Sequence, residues 1–341
     1  MVMIGLVVAL FISMMAALCL GAVRIPLQET LNILSAKLTG HVSVDSRFEA
    51  VLWHLRAPRM VLGLLVGAAL SVAGALMQGL FRNPLADPGL IGVSSGAALG
   101  AVTVIILGAT FFPTWHFLTD MRFLPVAAFI GALIVTLLIQ RLADTGGYTA
   151  VATLLLAGVA INSLVGAVIG LSTFLATDAQ LRTLSFWTLG SLGAANWSTV
   201  AIAAPFCLGM IAIAPVFASL LNALALGEAE ASHLGFSIER SKRLLILLTA
   251  AGVGVCVAFT GMIGFVGLVI PHLVRLWIGP DHRWLLPASA LLGGILLLVA
   301  DTVARIIVAP AELPIGILTA AFGGPFFLFM LLKQRHRALW S

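Results

Sequence analysis

Long apolar segments recur along the chain, each with few or no charged positions. The uncharged or nearly uncharged runs are 1–23, 60–81, 90–112, 123–140, 150–172, 197–220, 244–262, 264–277, 285–304 and 314–332. A helix that crosses the hydrocarbon core of a bilayer needs about 20 such residues. The pattern therefore predicts an all-α, polytopic membrane protein with about ten transmembrane helices, built as one domain over residues 1–341.

The seventh and eighth runs form a single uncharged stretch, residues 244–274. Its 31 residues are long for one membrane helix and short for two. Gly261, Gly264, Gly267 and Pro271 fall in its second half. We expect a full span followed by a broken half-helix. Membrane proteins tolerate such breaks only where protein or a water-filled cavity covers the exposed backbone.

Pairs of glycines four residues apart occur within the apolar runs. They are Gly63 with Gly67, Gly96 with Gly100, and Gly166 with Gly170. Small residues at this spacing let helix backbones approach closely in lipid. We interpret these pairs as positions of packing between helices of the same chain, rather than as a dimerisation motif.

Composition agrees with a membrane protein, since 61% of the residues are hydrophobic and 9% are charged, against about a quarter charged in a soluble domain. The net charge of +5 is explained by membrane flanks and requires no nucleic acid. Residues 1–23 lack a basic start, so we expect a retained first span rather than a signal peptide. Cys19, Cys207 and Cys256 lie in apolar runs and are expected to be small buried residues, without disulfide or metal-site spacing.

Ten spans would place both termini on the same side of the membrane. The basic clusters at 239–243 and 333–337 then share that side, which the positive-inside rule makes cytoplasmic. With this topology ten of the Lys and Arg residues fall inside and eight fall outside, and the outside ones need another explanation. They are Arg24, Lys37, Arg47, Arg56, Arg59, Arg122, Arg182 and Arg305.

A polar stretch, RNPLADPGLIGVSSG at 82–96, joins the second and third spans. Pro84 and Pro88 prevent the second helix from continuing, and the glycines let the chain turn. The stretch is longer than a turn requires. The excess suggests a surface that something else touches, while a rigid turn that supports helix packing is the alternative.

The GVSSG motif at 92–96 matches the G-x-S-x-G nucleophile elbow of hydrolases. That chemistry requires a strand before the serine and a sharp turn into a helix. Here a proline-rich loop precedes Ser94, and His272 has no acidic partner placed by the sequence. An intramembrane hydrolase is kept as a remote alternative, and no catalytic residue is assigned.

The chain lacks the Gly-Lys-Ser/Thr pattern that holds phosphates in P-loop ATPases, because none of Lys37, Lys242 and Lys333 follows a glycine. We expect no enzyme activity of its own. If transport is ATP-driven, a separate subunit uses the ATP. No ligand set for a metal or a permanently bound haem is present. Asp301 and Arg305, four residues apart, can pair on one face of a helix.

The most informative connector is the stretch at 221–243, between the sixth and seventh spans. Ala, Leu and Glu dominate residues 223–234 and favour a short helix. Gly235 can cap this helix, and Asn222 and Gly227 can divide it into two turns. A helical connector with acidic and small apolar residues is typical of a contact with another protein.

Five segments of the chain resemble the permease subunits of bacterial importers for iron chelates, haem and vitamin B12, the type II ABC importers. They are RNPLADPGLIGVSSGAALG (82–100), LLLAGVAINSL (154–164), LALGEAEASHLG (224–235), GFVGLVIPHLVRLWIGPDHRWLLPASALLGG (264–294) and DTVARIIVAPAELPIGILTAAFGGPFF (301–327). The resemblance implies a homodimer in the bacterial inner membrane, with two ABC ATPase subunits inside and a periplasmic binding protein outside. Overall likeness favours haem as cargo over a ferric siderophore or cobalamin.

The resemblance also implies roles for particular residues. The binding protein would dock on Arg56 and Arg59 in LRAPRM and on Arg305 in DTVAR. The ATPase would contact residues 226–235, namely Leu226, Gly227, Glu228, Glu230, His233, Leu234 and Gly235. The cytoplasmic gate would lie just before LLLAG, at Val151, Ala152 and Thr153.

Overall fold

The computed structural model describes residues 2–39, 46–108, 120–145, 148–309 and 311–338, and these are almost entirely helical. The α-helices in chain order are α1 (Val2–Cys19), α2 (Leu27–Thr39), α3 (Ser46–Ala50), α4 (Ala57–Leu80), α5 (Val93–Val102), α6 (Leu124–Ala143), α7 (Val151–Phe174), α8 (Asp178–Leu189), α9 (Trp197–Ile213), α10 (Ala218–Leu224), α11 (Glu228–His233), α12 (Ile238–Thr260), α13 (Val266–Ile278), α14 (His282–Ile307) and α15 (Ile315–Ala338). Two-residue strands, β1 (Asp144–Thr145) and β2 (Tyr148–Thr149), pair antiparallel between α6 and α7.

The described part of every apolar run lies largely within a helix. Within the described residues, seven helical segments are long and apolar enough to cross a membrane: Val2–Cys19, Phe48–Leu80, Met121–Ala143, Val151–Phe174, Trp197–Leu224, Ile238–Thr260 and His282–Ile307. Shorter apolar helices occupy Val93–Gly108, Val266–Ile278 and Ile315–Phe329. The predicted all-α, multi-pass fold is confirmed. The count of about ten spans stays a prediction, and so does the placement of both termini on one side.

The helix α4 forms the centre of the bundle. In its apolar window, 89% of the residues are buried, and it packs against α9, α12, α13 and α14. A second layer forms where α5 packs on α6 and α7. The helix α4 is rich in glycine and alanine, and small residues let neighbouring helices pack closely against it on several sides.

Several glycines bring helix backbones into direct contact. A Cβ atom on Gly67 of α4 would lie 2.3 Å from the carbonyl oxygen of Gly293 in α14. A Cβ atom on Gly96 of α5 would lie 2.4 Å from the carbonyl oxygen of Gly131 in α6, and Gly100 is equally close to α6. The predicted packing role is confirmed for these glycines.

The packing prediction was wrong for Gly166 and Gly170. A Cβ atom on either would meet nothing within 4 Å. They lie on α7, where only 17% of the apolar window is buried and where Leu164, Leu171 and Phe174 are exposed. The small-residue spacing is the same as in α5, but this face of α7 has no described helix of the same chain against it.

The closest backbone approach occurs at Gly74, and it yields a test of the fold. A Cβ atom there would lie 1.8 Å from the carbonyl oxygen of Gly267 in α13. We expect Gly74→Ala to lower the free energy of unfolding by about 1–3 kcal/mol, because α13 has to shift. Thermal unfolding in detergent measures the effect. Gly5→Ala in α1 is the matched control, since it adds a Cβ in open space. Equal melting temperatures for both variants and the parent would contradict this packing.

The break predicted within 244–274 is confirmed. The helix α12 ends at Thr260, Gly261 and Phe265 have positive φ angles of 69° and 68°, and the short helix α13 follows. The backbone N–H of Ser191 donates to the carbonyl oxygen of Thr260 at 2.7 Å. Neighbouring protein therefore covers the interrupted backbone, as an unwound segment at membrane depth requires.

The structure corrects the expected start of the second span. The sequence places Arg56 and Arg59 before this span, but one helical segment runs from Phe48 to Leu80 and contains both. Its first part, Val51–Arg56, is a π-helical turn. The polar helices α2 and α8 are also absent from the apolar pattern, because their residues are too mixed in hydropathy to form an apolar run.

The expectation for the cysteines holds for two of the three. Cys207 and Cys256 are buried free thiols, with sulfur atoms 3.7 Å apart between α9 and α12. Cys19, at the end of α1, is half-buried. The pair behaves as two small apolar residues at a helix contact.

Candidate functional site

Two polar clusters lie at opposite ends of the helix bundle. The arginine cluster consists of Arg56, Arg59, Asp301, Arg305 and Glu312. The lysine cluster consists of Tyr148, Thr149, Glu228, Glu239 and Lys242. Their separation follows from the fold, because α4 starts at the arginine cluster, while Gly79 in its last turn lies beside Leu221 of α10 at the other end of the bundle.

Asp301 lies at the centre of the arginine cluster. Its side chain is 4% exposed and accepts from Arg59 Nε at 2.9 Å, and it forms an ion pair with Arg305, whose Nε lies 3.1 Å from Asp301 Oδ2. The predicted pairing of Asp301 with Arg305 is confirmed. Arg59 also donates from Nη1 to Glu312 at 2.8 Å. Glu312 was missed by the sequence reasoning, since nothing in a loop carboxylate 253 residues away signals the pairing.

Arg56 and Arg305 both donate hydrogen bonds to the carboxyl-terminal end of α1, and Arg305 also pairs with Asp301. Arg56 Nη1 donates to the carbonyl oxygen of Leu18 at 2.6 Å, and its Nη2 donates to Val23. Arg305 Nη2 donates to the carbonyl oxygen of Ala17 at 3.1 Å. The last carbonyl groups of a helix lack partners within it and carry partial negative charge. The two arginines therefore cap α1 and hold it against α4 and α14.

A cavity of about 290 Å³ opens at the arginine cluster, lined by Arg56, Arg59, Arg305 and Glu312 among others. The Arg59 side chain is 11% exposed, whereas that of Glu312 is 46% exposed. The group of this pair that faces outward is thus the carboxylate of Glu312. An approaching protein meets Arg59 only where Glu312 leaves room.

Lys242 forms the centre of the lysine cluster although it is 2% exposed. Its Nζ donates to the carbonyl oxygen of Thr149 at 3.0 Å, to Glu228 at 2.9 Å and to Glu239 at 3.0 Å. An ammonium group has three donors, so its capacity is filled. It also lies 4.8 Å from the centre of the Tyr148 ring, within range of a cation–π contact. The sequence analysis predicted none of these pairings. The three-residue spacing of Glu239 and Lys242 on one helix is the local signal that could have indicated one of them.

The predicted contact segment, residues 226–235, contains α11 and its two ends. Gly227 has φ of +134°, so the connector splits here into α10 and α11, as the glycine suggested. Gly235 has φ of +86°, its N–H donates to Ser232, and the Phe236 N–H donates to Ala231. This is a Schellman ending, which confirms the predicted cap. Leu226 and Leu234 flank α11 and are 71% and 63% exposed.

The predicted gate residues form the first turn of α7. Val151 begins this helix directly after the β1–β2 hairpin. Ala152 and Thr153 are exposed and Val151 is half-buried. Val151 follows Thr149, a member of the lysine cluster, by two positions, so the predicted gate residues begin next to this cluster.

The polar loop at 82–96 contains a short 3-10 helix, Pro88–Ile91, followed by Gly92 with φ of +83°. No strand precedes Ser94 within 82–96, so the nucleophile elbow that the hydrolase alternative requires is absent. Asp87 accepts from the Gly89 N–H at 2.7 Å, and burial raises the pKa of the Asp87 carboxyl. The loop is a folded turn rather than a catalytic one.

A larger cavity, of about 570 Å³, lies between this loop, α10 and the turn before α14. Asp281 lines it and caps α14 by accepting from the Arg283 N–H at 3.0 Å. That hydrogen bond, with a second one from Asn222, lowers the pKa of the Asp281 carboxyl, which stays ionised near neutral pH. Cavities with charged residues in their lining thus lie at both ends of the bundle.

Comparison with known proteins shows the family of the chain. The model of the FecCD transport family matches residues 8–333. The chain belongs to the FecCD transport family. Among relatives, it is 49% identical to the hemin transport system permease protein HmuU of Yersinia pestis, over 84% of this chain and 85% of the relative. It is 44% identical to the cobalamin import system permease protein BtuC of Halobacterium salinarum, over 87% and 77% respectively.

Solved structures give the same result for this FecCD-family chain. An inward-facing metal-chelate type ABC transporter has a TM-score of 0.83 and 31% identity, over 97% of this chain and 98% of that chain. PsaBC from Streptococcus pneumoniae, in complex with Fab, has a TM-score of 0.55 and 18% identity, over 91% and 99%. The second similarity concerns the fold alone. The chain is a multi-pass ABC importer permease of this family.

Proposed function

We propose that the chain is the permease subunit of an ATP-driven bacterial importer that moves haem across the inner membrane to the cytoplasm. The assignment of haem as cargo rests on the 49% identity to the hemin permease, over most of both chains. Vitamin B12 is the alternative cargo, supported by the 44% identity to a cobalamin permease. A ferric siderophore is a further alternative, supported by similarity to the metal-chelate type transporter.

The proposed assembly is a homodimer with two ABC ATPase subunits and a periplasmic binding protein, and both termini are cytoplasmic. The outward face of α7 supports the dimer, because Leu164, Leu171 and Phe174 are exposed beside the unpacked Gly166 and Gly170. Two such faces would bury apolar surface and let small residues meet.

The two ends of the bundle are assigned to the two kinds of partner. The segment 226–235 is the proposed ATPase contact, because a helix with a fixed end holds two exposed leucines and the exposed Glu230 in defined positions. The arginine cluster is the proposed docking site for the binding protein, through Arg56, Arg59 and Arg305. Val151, Ala152 and Thr153 are the proposed gate, since they start α7 beside the ATPase end.

Transport into proteoliposomes tests the cargo. The permease and its ATPase would be reconstituted, and haem, cobalamin and a ferric chelate would each be offered with their own binding proteins. We expect ATP-dependent uptake of haem at a rate at least about tenfold above the others, which corresponds to about 1.4 kcal/mol of discrimination. Vesicles with an ATPase that cannot hydrolyse ATP are the control. Uptake of cobalamin or ferric chelate instead of haem would reject haem as the cargo. ATP hydrolysis by the purified permease alone would reject the proposal that a separate subunit hydrolyses the ATP.

A further inference from the structure

The lysine cluster joins three segments that are separate in sequence. Lys242, in the second turn of α12, reaches Glu228 on α11 and the carbonyl oxygen of Thr149 in the hairpin before α7. Glu239 on α12 accepts from the backbone N–H of Thr149 at 2.7 Å. Both main-chain groups of Thr149 are therefore bound to the start of α12.

Further contacts connect the hairpin directly to α11. The Tyr148 hydroxyl donates to Glu228 at 3.3 Å, so the same carboxylate binds Lys242 and the hairpin. On the other strand, Asp144 pairs with Arg243 at 2.6 Å. The hairpin is thus attached to α12 on both strands and to α11 through Glu228.

Burial makes this connection stiff. A buried ammonium group resists the loss of any of its three acceptors, because a buried charged donor without an acceptor is unfavourable. The first turn of α7 begins two residues after Thr149. A displacement of α11 therefore reaches Val151, Ala152 and Thr153 through Glu228, Lys242 and Thr149.

We propose that Lys242 is a positioning residue that holds α11 and the β1–β2 hairpin together, so that a movement of α11 by the ATPase moves the first turn of α7. This inference rests on the proposed function, in which α11 contacts the ATPase and α7 starts with the gate. Lys242 is 2% exposed, so in this proposal it acts from inside the permease rather than by touching the ATPase or the cargo. Its role is to transmit the displacement.

The test replaces Lys242 by Met, which keeps the length of the side chain and removes its charge. Glu228 and Glu239 have side chains 22% and 26% exposed, so water can solvate both carboxylates in the variant. We expect the complex to assemble and hydrolyse ATP, while cargo transported per ATP falls about tenfold, equivalent to about 1.4 kcal/mol of coupling. Arg240→Met is the matched control, since it removes one charge from an exposed position on the same helix.

Glu228→Gln is the second variant and keeps the inference testable if Lys242→Met fails to insert. It removes the carboxylate that links α11 to Lys242 and leaves Lys242 bound to Glu239 and Thr149. We expect the same loss of transport per ATP, and no further loss in the double variant, because both changes remove one connection. Additive losses, or parental transport per ATP in Glu228→Gln, would overturn the inference.

The measurements separate this inference from the proposed function. If the parental permease does not co-purify with the ATPase, the proposed function fails. If it does, and Lys242→Met lowers the melting temperature, assembly and ATP hydrolysis together without changing transport per ATP, Lys242 is a structural residue only. A changed ratio of transport to hydrolysis is the signature that stability alone does not produce.

Discussion

Replacing residues 226–234 by a Gly/Ser linker of the same length is expected to abolish coupled transport while the permease still inserts and folds. The segment between α10 and α12 lies within the described residues, and Ala231 is the one residue of it that is fully buried. The segment therefore contributes little to the core of the bundle. A Gly/Ser linker behaves as a flexible coil and presents no fixed apolar surface between Leu226 and Leu234. We expect ATP-driven uptake to fall at least about 100-fold, or about 2.7 kcal/mol.

Uptake, co-purification of the ATPase and the melting temperature are measured in parallel. A second linker variant retains Glu228 and replaces residues 229–234 alone, so that its pair with Lys242 remains possible. If α11 is the ATPase contact, both variants lose the ATPase. If the ATPase still co-purifies with the full replacement and uptake persists, the segment is only a connector between spans.

The apolar runs predicted helix positions well, and lipid explains why. Inside a bilayer, backbone groups have no water to bind, so an apolar run of sufficient length has to form a helix. The break after Thr260 was also predictable, because four helix-disfavouring residues cluster in 261–271. The start of the second span was not predictable, because a charged residue such as Arg56 usually marks the end of an apolar span. Its charge is satisfied by carbonyl groups at the end of α1, and only the tertiary structure supplies those acceptors.

The site residues divide in a similar way. Gly227 and Gly235 carried local information, because their positive φ angles shape the ends of α11. Two other pairings could not be predicted, that of Arg59 with Glu312 and that of Lys242 with Thr149, because the partners are far apart in sequence. The spacing of Gly166 and Gly170 misled for a related reason. Four-residue spacing shows that a helix can pack closely, but it does not require a neighbouring helix in the same chain.

The arginine cluster leads to the sharpest test of docking, because Glu312 competes for Arg59. The structure pairs Arg59 with buried Asp301 and with Glu312, whose side chain is 46% exposed. An acidic residue of a binding protein would have to replace Glu312 at the Arg59 guanidinium. Glu312→Gln should therefore tighten docking about two- to fivefold, the range that a partly exposed ion pair contributes. Arg59→Gln should weaken it about tenfold, since the planar fork that holds a carboxylate is lost.

Opposite effects of these two variants separate docking from stability. Each removes one partner of the same ion pair, so a purely structural role would make both variants less stable and move docking in one direction. Arg59→Glu is less informative, because it adds a third carboxylate beside Asp301 and Glu312 and favours misfolding. Binding of the periplasmic protein to the reconstituted permease is measured at about 0.05 M and about 0.5 M salt, where screening should shrink both effects. If Glu312→Gln and Arg59→Gln weaken docking equally at both salt concentrations, the cluster anchors α1 to α4 and α14 and does not receive the binding protein.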